Sequence, residues 1–189
     1  MKLTKEMLTE MMACPAGFRW FIQQNETDVG KLIDIAIANL DNDVFSYANW
    51  GIARLLPRPD QIRYAVFMAE LVLPIFETER PNDDRPRKAV EAAKAVIEND
   101  SEENRKAANA AYVAAYAAAD AAAYDAAHAA YAAAHAAYDA ANAAYDAANA
   151  AAYAAAYAAA RNGKREVQKK ILEYGKSLLL KQSVSNKEN

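Results

Sequence analysis

Apolar positions recur at helical spacing along nearly the whole chain, and no alternation of Val, Ile and Thr marks a strand. Thr4 is placed to cap a short first helix ending near Ala13. Pro15 suits the first turn of a second, which carries Phe18, Trp20, Phe21 and Ile22. Asp28 is a cap for a third, with Leu32, Ile33, Ile35, Ala36 and Leu40 as its apolar positions. DNDVFSYANWGIARLL, 41–56, reads as a fourth, closed by the PRP of 57–59. From Asp60 a fifth helix, QIRYAVFMAELVLPIFE, is apolar on nearly all sides, as a central buried helix is. Pro74 is expected to kink or divide it. ERPNDDRP, 79–86, is a loop, and RPRKAVEAAKAVIEN, 85–99, is an amphipathic sixth helix. Ser101, followed by Glu102 and Glu103, opens another: a side-chain cap with negative charge at the positive end of the dipole. No Gly or Pro then interrupts the chain before Arg161, and Asn162-Gly163 is a stop. A last helix is expected over 164–181. The fold class is therefore all-α. Its expected parts are a helical bundle over 1–100, an Ala/Tyr-rich segment over 101–162, a C-terminal helix over 163–182 and a fraying tail over 183–189.

The Ala/Tyr-rich segment changes this picture most. Residues 107–160 hold 36 Ala, eight Tyr, nine Asp, Asn or His, and one Val. Alanine has the highest helix propensity, so composition alone makes the segment helical. One straight helix over 101–161 would run about 90 Å, at about 1.5 Å per residue, too long for a domain of this size. A break is favoured, with Asn109, Asn142 and Asn149 as weak candidates for its place. Tyr124, Tyr131, Tyr138 and Tyr145 recur every seven residues. Projected on one helix, the tyrosines and the polar residues share one half, and an arc of about 140° is alanine only. A bare alanine arc lets another helix backbone approach closely, with tyrosines packing their rings along its borders. The same stripe also suits a protein partner, because tyrosine offers large contact area at low entropic cost. A coiled-coil seam lacks the usual Leu and Ile filling.

Charge adds two features. The formal net charge is −3 and the pI about 5.5, which gives no global reason to bind nucleic acid. Residues 107–160 carry four Asp and no Lys or Arg, whereas 161–189 carry eight Lys or Arg against three Glu. The basic end can touch an acidic partner or neutralise the acidic helix beside it. The amphipathic start MKLTKEMLTE is unlike a signal peptide, and Asp at 120, 125, 139 and 146 argues against a membrane span. Together with a single cysteine, this points to the cytoplasm.

Candidate chemistry is sparse. His128 and His135, the only histidines, lie two turns apart, about 10 Å on a helix, too far to share a metal. Asp125–His128 and His135–Asp139 have helical-neighbour spacing, but two ligands do not make a metal site. Cys14 has no Cys/His constellation around it and is expected to be a buried thiol. There is no phosphate-binding glycine loop and no nucleophile elbow, so neither a cofactor nor catalysis is expected. Glu70 sits in an otherwise apolar helix; buried there, it would need Arg54, Arg63 or Arg85 as a partner. NDDRPR, 82–87, combines two Asp with two Arg, suited to capping by Asp83 or Asp84 and to internal salt bridges.

ACPAGFRWF at 13–21, FSYANWGIARLLP at 45–57, QIRYAVFMAELVLPIFE at 61–77 and PNDDRPRKAVEAAK at 81–94, followed by the Ala/Tyr-rich stretch, occur in a telling order. In that order the chain resembles, over roughly residues 5–160, an immunity-protein family related to the class-five immunity domain of bacterial polymorphic-toxin systems, whose members also occur in bacteriophages. None of the shared stretches is a catalytic motif. The resemblance implies toxin neutralisation by binding, and matching positions suited to a site are Trp20, Trp50, Arg54, Glu70, Asp83, Asp84, Arg85 and Arg87. The Ala/Tyr segment, longer and more regular here than the family's, adds Tyr124, Tyr131, Tyr138 and Tyr145 as candidate binding residues. The expectation is thus a non-enzymatic binding protein, immunity-like or a phage counter-defence inhibitor, that occludes a protein partner. Alternatives are a small-molecule or nucleotide binder using Arg54, Arg85 and Arg87, an enzyme using Glu70 and the DDRPR loop, and a structural helix that self-associates into a homo-oligomer.

Overall fold

The computed structural model describes residues 1–120, 131–136, 138 and 164–185, and the fold is all-α. The chain forms two compact units, Met1–Leu56 with Gln168–Asn189, and Pro57–Val167.

In the first unit, α1 (Lys5–Glu10), α2 (Pro15–Gln24), α3 (Val29–Ala38) and α4 (Asn42–Leu55) each start on a side-chain cap. The Thr4 hydroxyl accepts from the Met7 N–H, Asp28 from Lys31 and Asp41 from Val44, at 2.8–3.3 Å. Each such cap contributes typically ~1 kcal/mol by satisfying a helix-end donor. Cys14 caps α2: its Sγ accepts the Gly17 N–H at 3.3 Å. The thiol is exposed, which corrects the expectation of a buried cysteine; the capping position before Pro15 holds it at the surface. The sequence pattern also gives no hint of the extended start. Leu3 donates to the Thr27 carbonyl and Val29 to that of Met1, pinning the first residues to the α2–α3 turn. α2, α3 and α4 pack on one another around Phe21, Leu32, Ile33, Phe45 and Ile52, all buried. The last helix, α8 (Lys164–Ser185), runs four residues beyond the expected end. Lys176 Nζ on it lies 2.6 Å from both carboxylate oxygens of Asp34 on α3.

In the second unit, α5 (Arg58–Glu79) starts two residues before the expected Asp60, because Pro57 and Pro59 fit the first turn, where no N–H is needed. It is buried along most of its girth, through Ile62, Tyr64, Met68, Val72, Leu73 and Phe76. Pro74 does not divide it. Pro74 and Glu70, whose carbonyl loses its donor, both lie on the exposed strip, where water can take the missing partner's place. α6 (Arg85–Glu98) packs against both α5 and α7 (Glu102–Asp120). The turn between α6 and α7 is three residues long, which makes them antiparallel neighbours. Asn104 closes that turn: its side-chain amide donates to the carbonyls of Ala95 and Asn99, and its N–H to Ser101 Oγ, the cap expected from the sequence. The residues that α7 buries are Ala108, Ala115 and Ala118, all within the predicted alanine arc, and α6 buries Ala89 and Ala93. Small side chains on both helices allow the close approach.

Residues 131–136 and 138 are helical and run antiparallel to α7. Ring centroids of Tyr112 and Tyr138 are 5.1 Å apart, and those of Tyr116 and Tyr131 4.9 Å. One straight helix would separate Tyr112 from Tyr138 by about 39 Å. The segment is therefore a hairpin that has reversed by Tyr131. Asn109 is not the break, since it lies within α7; Asn142 and Asn149 fall outside the described residues.

Candidate functional site

The sequence-derived candidates fall in separate places. Glu70, Asp83, Asp84, Arg85 and Arg87 belong to an ion-pair array on α5, α6 and the turn between them. Asp83 takes the Arg85 guanidinium in a two-pronged contact, at 2.8 and 2.6 Å, and also accepts the Arg85 N–H at 3.3 Å. The guanidinium, by hydrogen bonding, holds the Asp83 carboxyl below its ordinary value. Asp84 occupies the cap position of α6 but makes no side-chain cap bond; it pairs with Lys88 at 2.9 Å instead. Arg87 binds both oxygens of Glu77 on α5, the longer contact at 2.8 Å. Glu70 is exposed, not buried, and its partner is Lys94 at 2.7 Å, not an arginine. Lys94 also reaches Glu91 at 3.0 Å. The apolar run around Glu70 suggested burial, but the residue lies on the same open strip as Pro74.

The tyrosines form a second cluster. Tyr112 and Tyr116 on α7 meet each other edge-on at 5.9 Å, and each meets a ring of the returning segment edge-on, Tyr138 and Tyr131. Alanines 132, 133, 134 and 136 are buried, and the tyrosines spend their ring edges on one another. Tyr124 and Tyr145, like His128, lie outside the described residues.

The third place is a cavity of about 330 Å³ within the first unit, between α1, α2, α3 and α4. Its aromatic wall is Trp20, Tyr47 and Trp50. Trp20 and Tyr47 lie 6.5 Å apart, tilted at 46°. The Tyr47 ring rests on Gly17, where a Cβ would come within 3.2 Å of it. Arg54 stacks over the outside of Trp50 at 5.8 Å, a cation–π contact one helical turn along α4. Burial, then the charges of Asp43, Cys14 and Asp41, hold the Tyr47 phenol above its ordinary range, against a smaller opposing effect of Arg19. Sequence reasoning singled out Trp50 and Arg54 but not Tyr47, Met12 or Gly51. The available signal was the Tyr47–Trp50 spacing, which puts both rings on one face of α4.

Among the described residues no group of three or more His, Cys, Asp or Glu is placed to hold a metal ion, and no helix is long and apolar enough to cross a membrane. No curated protein and no solved structure matches the chain. A family match covers residues 55–178. It takes in the stretches at 61–77 and 81–94, with their ion-pair array, and the Ala/Tyr-rich segment. The stretch at 13–21 and nearly all of that at 45–57, which build the cavity, lie before it. Spanning more than half of the 189 residues, this match places the chain in the family of Imm-5 like putative immunity proteins.

Proposed function

We propose that the protein is a non-enzymatic inhibitor that neutralises a toxin-like protein, of bacterial or phage-encoded systems, by binding and occluding it in the cytoplasm. Membership of the immunity-like family carries this reading. The ion pairs support it. Arg85, Arg87, Lys94 and their carboxylate partners are committed to one another, an arrangement that stiffens α5 and α6 as a presenting surface. The guanidiniums of Arg85 and Arg87 are held by carboxylates, which disfavours their use as a nucleotide clamp.

Titration of the purified protein against toxins of such systems tests the reading. Toxin activity is expected to fall linearly to an equivalence point at a fixed molar ratio, with a stable complex in size-exclusion chromatography. Suppression by far less than one equivalent would mark turnover and overturn the proposal. So would unchanged toxin activity with no complex formed.

A further inference from the structure

Two residues with a left-handed backbone bracket α2. Met12, three residues before it, has φ at 58°, and Asn25, directly after it, has φ at 48°. They are the only non-glycine residues with positive φ among the described residues. The helix between them is lightly held. Phe21 is its one buried side chain. No hydrogen bond or ion pair among the described residues ties an α2 side chain to another helix; the side-chain amide of Gln24 returns to the Trp20 carbonyl within α2 itself. A rigid element between two terminal residues that can absorb a change in φ and ψ is the anatomy of a hinge.

The cavity gives this element room to move. α2 and α4 are close at Gly17, where a Cβ would come within 3.2 Å of the Tyr47 ring. One turn along α4 from Tyr47 there is open space: a Cβ on Gly51 would meet nothing within 4 Å, although Gly51 lines the cavity. The gap is therefore a wedge, shut at Tyr47 and open at Gly51. Its aromatic walls are not packed together. Trp20, Tyr47 and Trp50 are each only half-buried. Trp20 and Tyr47, 6.5 Å apart and tilted at 46°, are neither stacked nor edge-on, and lie near the long end of the about 4.5–7 Å over which rings attract. Gly51 keeps the wedge empty inside a helix that would prefer alanine there.

We infer that α2 is a flap with two states, the open one of this structure and a closed one that fills the wedge. In closing, α2 turns on Met12 and Asn25, pivots where Gly17 meets Tyr47, and lays Trp20 into the space beside Gly51. Closure takes apolar ring surface out of water, which drives it. α3 and α4 stay fixed, because Leu32 and Ile33 on one and Phe45 and Ile52 on the other are buried where these helices pack. The flap is a property of the first unit and needs no partner to move.

Trp20 and Trp50 are the chain's only tryptophans, so two indole N–H signals report on the wedge. Nitrogen-15 relaxation dispersion on the full chain should show microsecond-to-millisecond exchange at both indoles and at the α2 amides, with flat profiles across α3. Gly51→Leu fills the wedge and should cut that exchange at least fivefold while circular dichroism stays helical. Gly51→Ala adds one methyl where nothing lies within 4 Å and improves helix propensity, so it folds. It should cut the exchange at least twofold, and it decides the matter if Gly51→Leu does not fold. Met12→Gly frees one hinge and should raise the exchange rate at least twofold. Flat profiles at the indoles and along α2 overturn the inference. So does exchange of equal amplitude across α3 and α4, which would mark opening of the whole unit. Exchange undiminished in the folded Gly51 variants overturns it too, since the rings would then be moving without closure.

Discussion

Asp83 illustrates how much a single side chain settles here. Arg85 follows it by two residues, and its guanidinium turns back onto both carboxylate oxygens while its N–H meets one of them. The Asp83 side chain is 23% exposed, so the pair is partly shielded from water and is worth more than a fully exposed one. The guanidinium hydrogen bonds lower the carboxyl's pKa from its ordinary 3.8, outweighing the burial that would raise it. A depressed carboxylate contributes stability that is present above its unfolded value and is lost as pH falls through the folded one. Asp83→Asn should therefore lower the Tm at neutral pH. As pH falls from roughly 5 through and below the ordinary carboxylate range, the wild-type Tm should fall more steeply than the variant's, and the two curves should converge. Thermal unfolding followed by circular dichroism across that range checks it. Parallel curves would mean that Arg85 is not what holds the Asp83 proton off. The two adjacent acids also show where sequence reasoning stops. Both were candidate caps, yet Asp83 makes the backbone contact and Asp84 pairs with Lys88, because which of two neighbours faces the helix end depends on a turn that spacing does not encode.

Most elements were legible. Thr4, Asp28 and Ser101 cap where their chemistry predicts, and the alanine arc of α7 is the buried arc. Two readings failed for a shared reason. Glu70 and Pro74 are four residues apart on one exposed strip of α5, too narrow to register in a helix that is apolar almost all round. The hairpin in the Ala/Tyr segment was favoured from length alone, since alanine marks no turn. Its tyrosines were seen as one stripe because the projection assumed one axis. With the axis reversed, Tyr116 and Tyr131 face each other across two antiparallel segments. Edge-on tyrosine pairs contribute about 0.5–1.5 kcal/mol beyond area burial. A double-mutant cycle with Tyr116→Ala and Tyr131→Ala, measured by urea unfolding, should return a coupling in that range. A coupling near zero would show that the rings lie side by side without holding the hairpin together.

At the scale of the whole molecule, the chain's two ends serve the same unit. Residues Met1–Leu56 are joined by Gln168–Asn189, whereas Pro57–Val167 is continuous in sequence. A stretch of about 60 residues buries too little surface to be comfortably stable alone. α8 supplies what is missing. Its Ile171, Leu172, Leu178 and Leu179 are buried, and Lys176 clamps Asp34 of α3. Burying a leucine or isoleucine contributes about 1.5–3 kcal/mol, so losing four is comparable to the roughly 5–15 kcal/mol that stabilises a whole domain. A chain ending at residue 163 should therefore lose the first unit selectively. Trp20 and Trp50 both lie in that unit, so their emission reports on it alone. The truncated chain should show tryptophan emission shifted to the red, toward that of the urea-unfolded protein. Most of the helical circular dichroism should remain, because α5, α6 and α7 keep their mutual contacts. Native-like emission in the truncated chain would mean that residues 1–56 hold their own core and that α8 only rests on it. Loss of helicity in proportion to the red shift would mean that the two units fold as one.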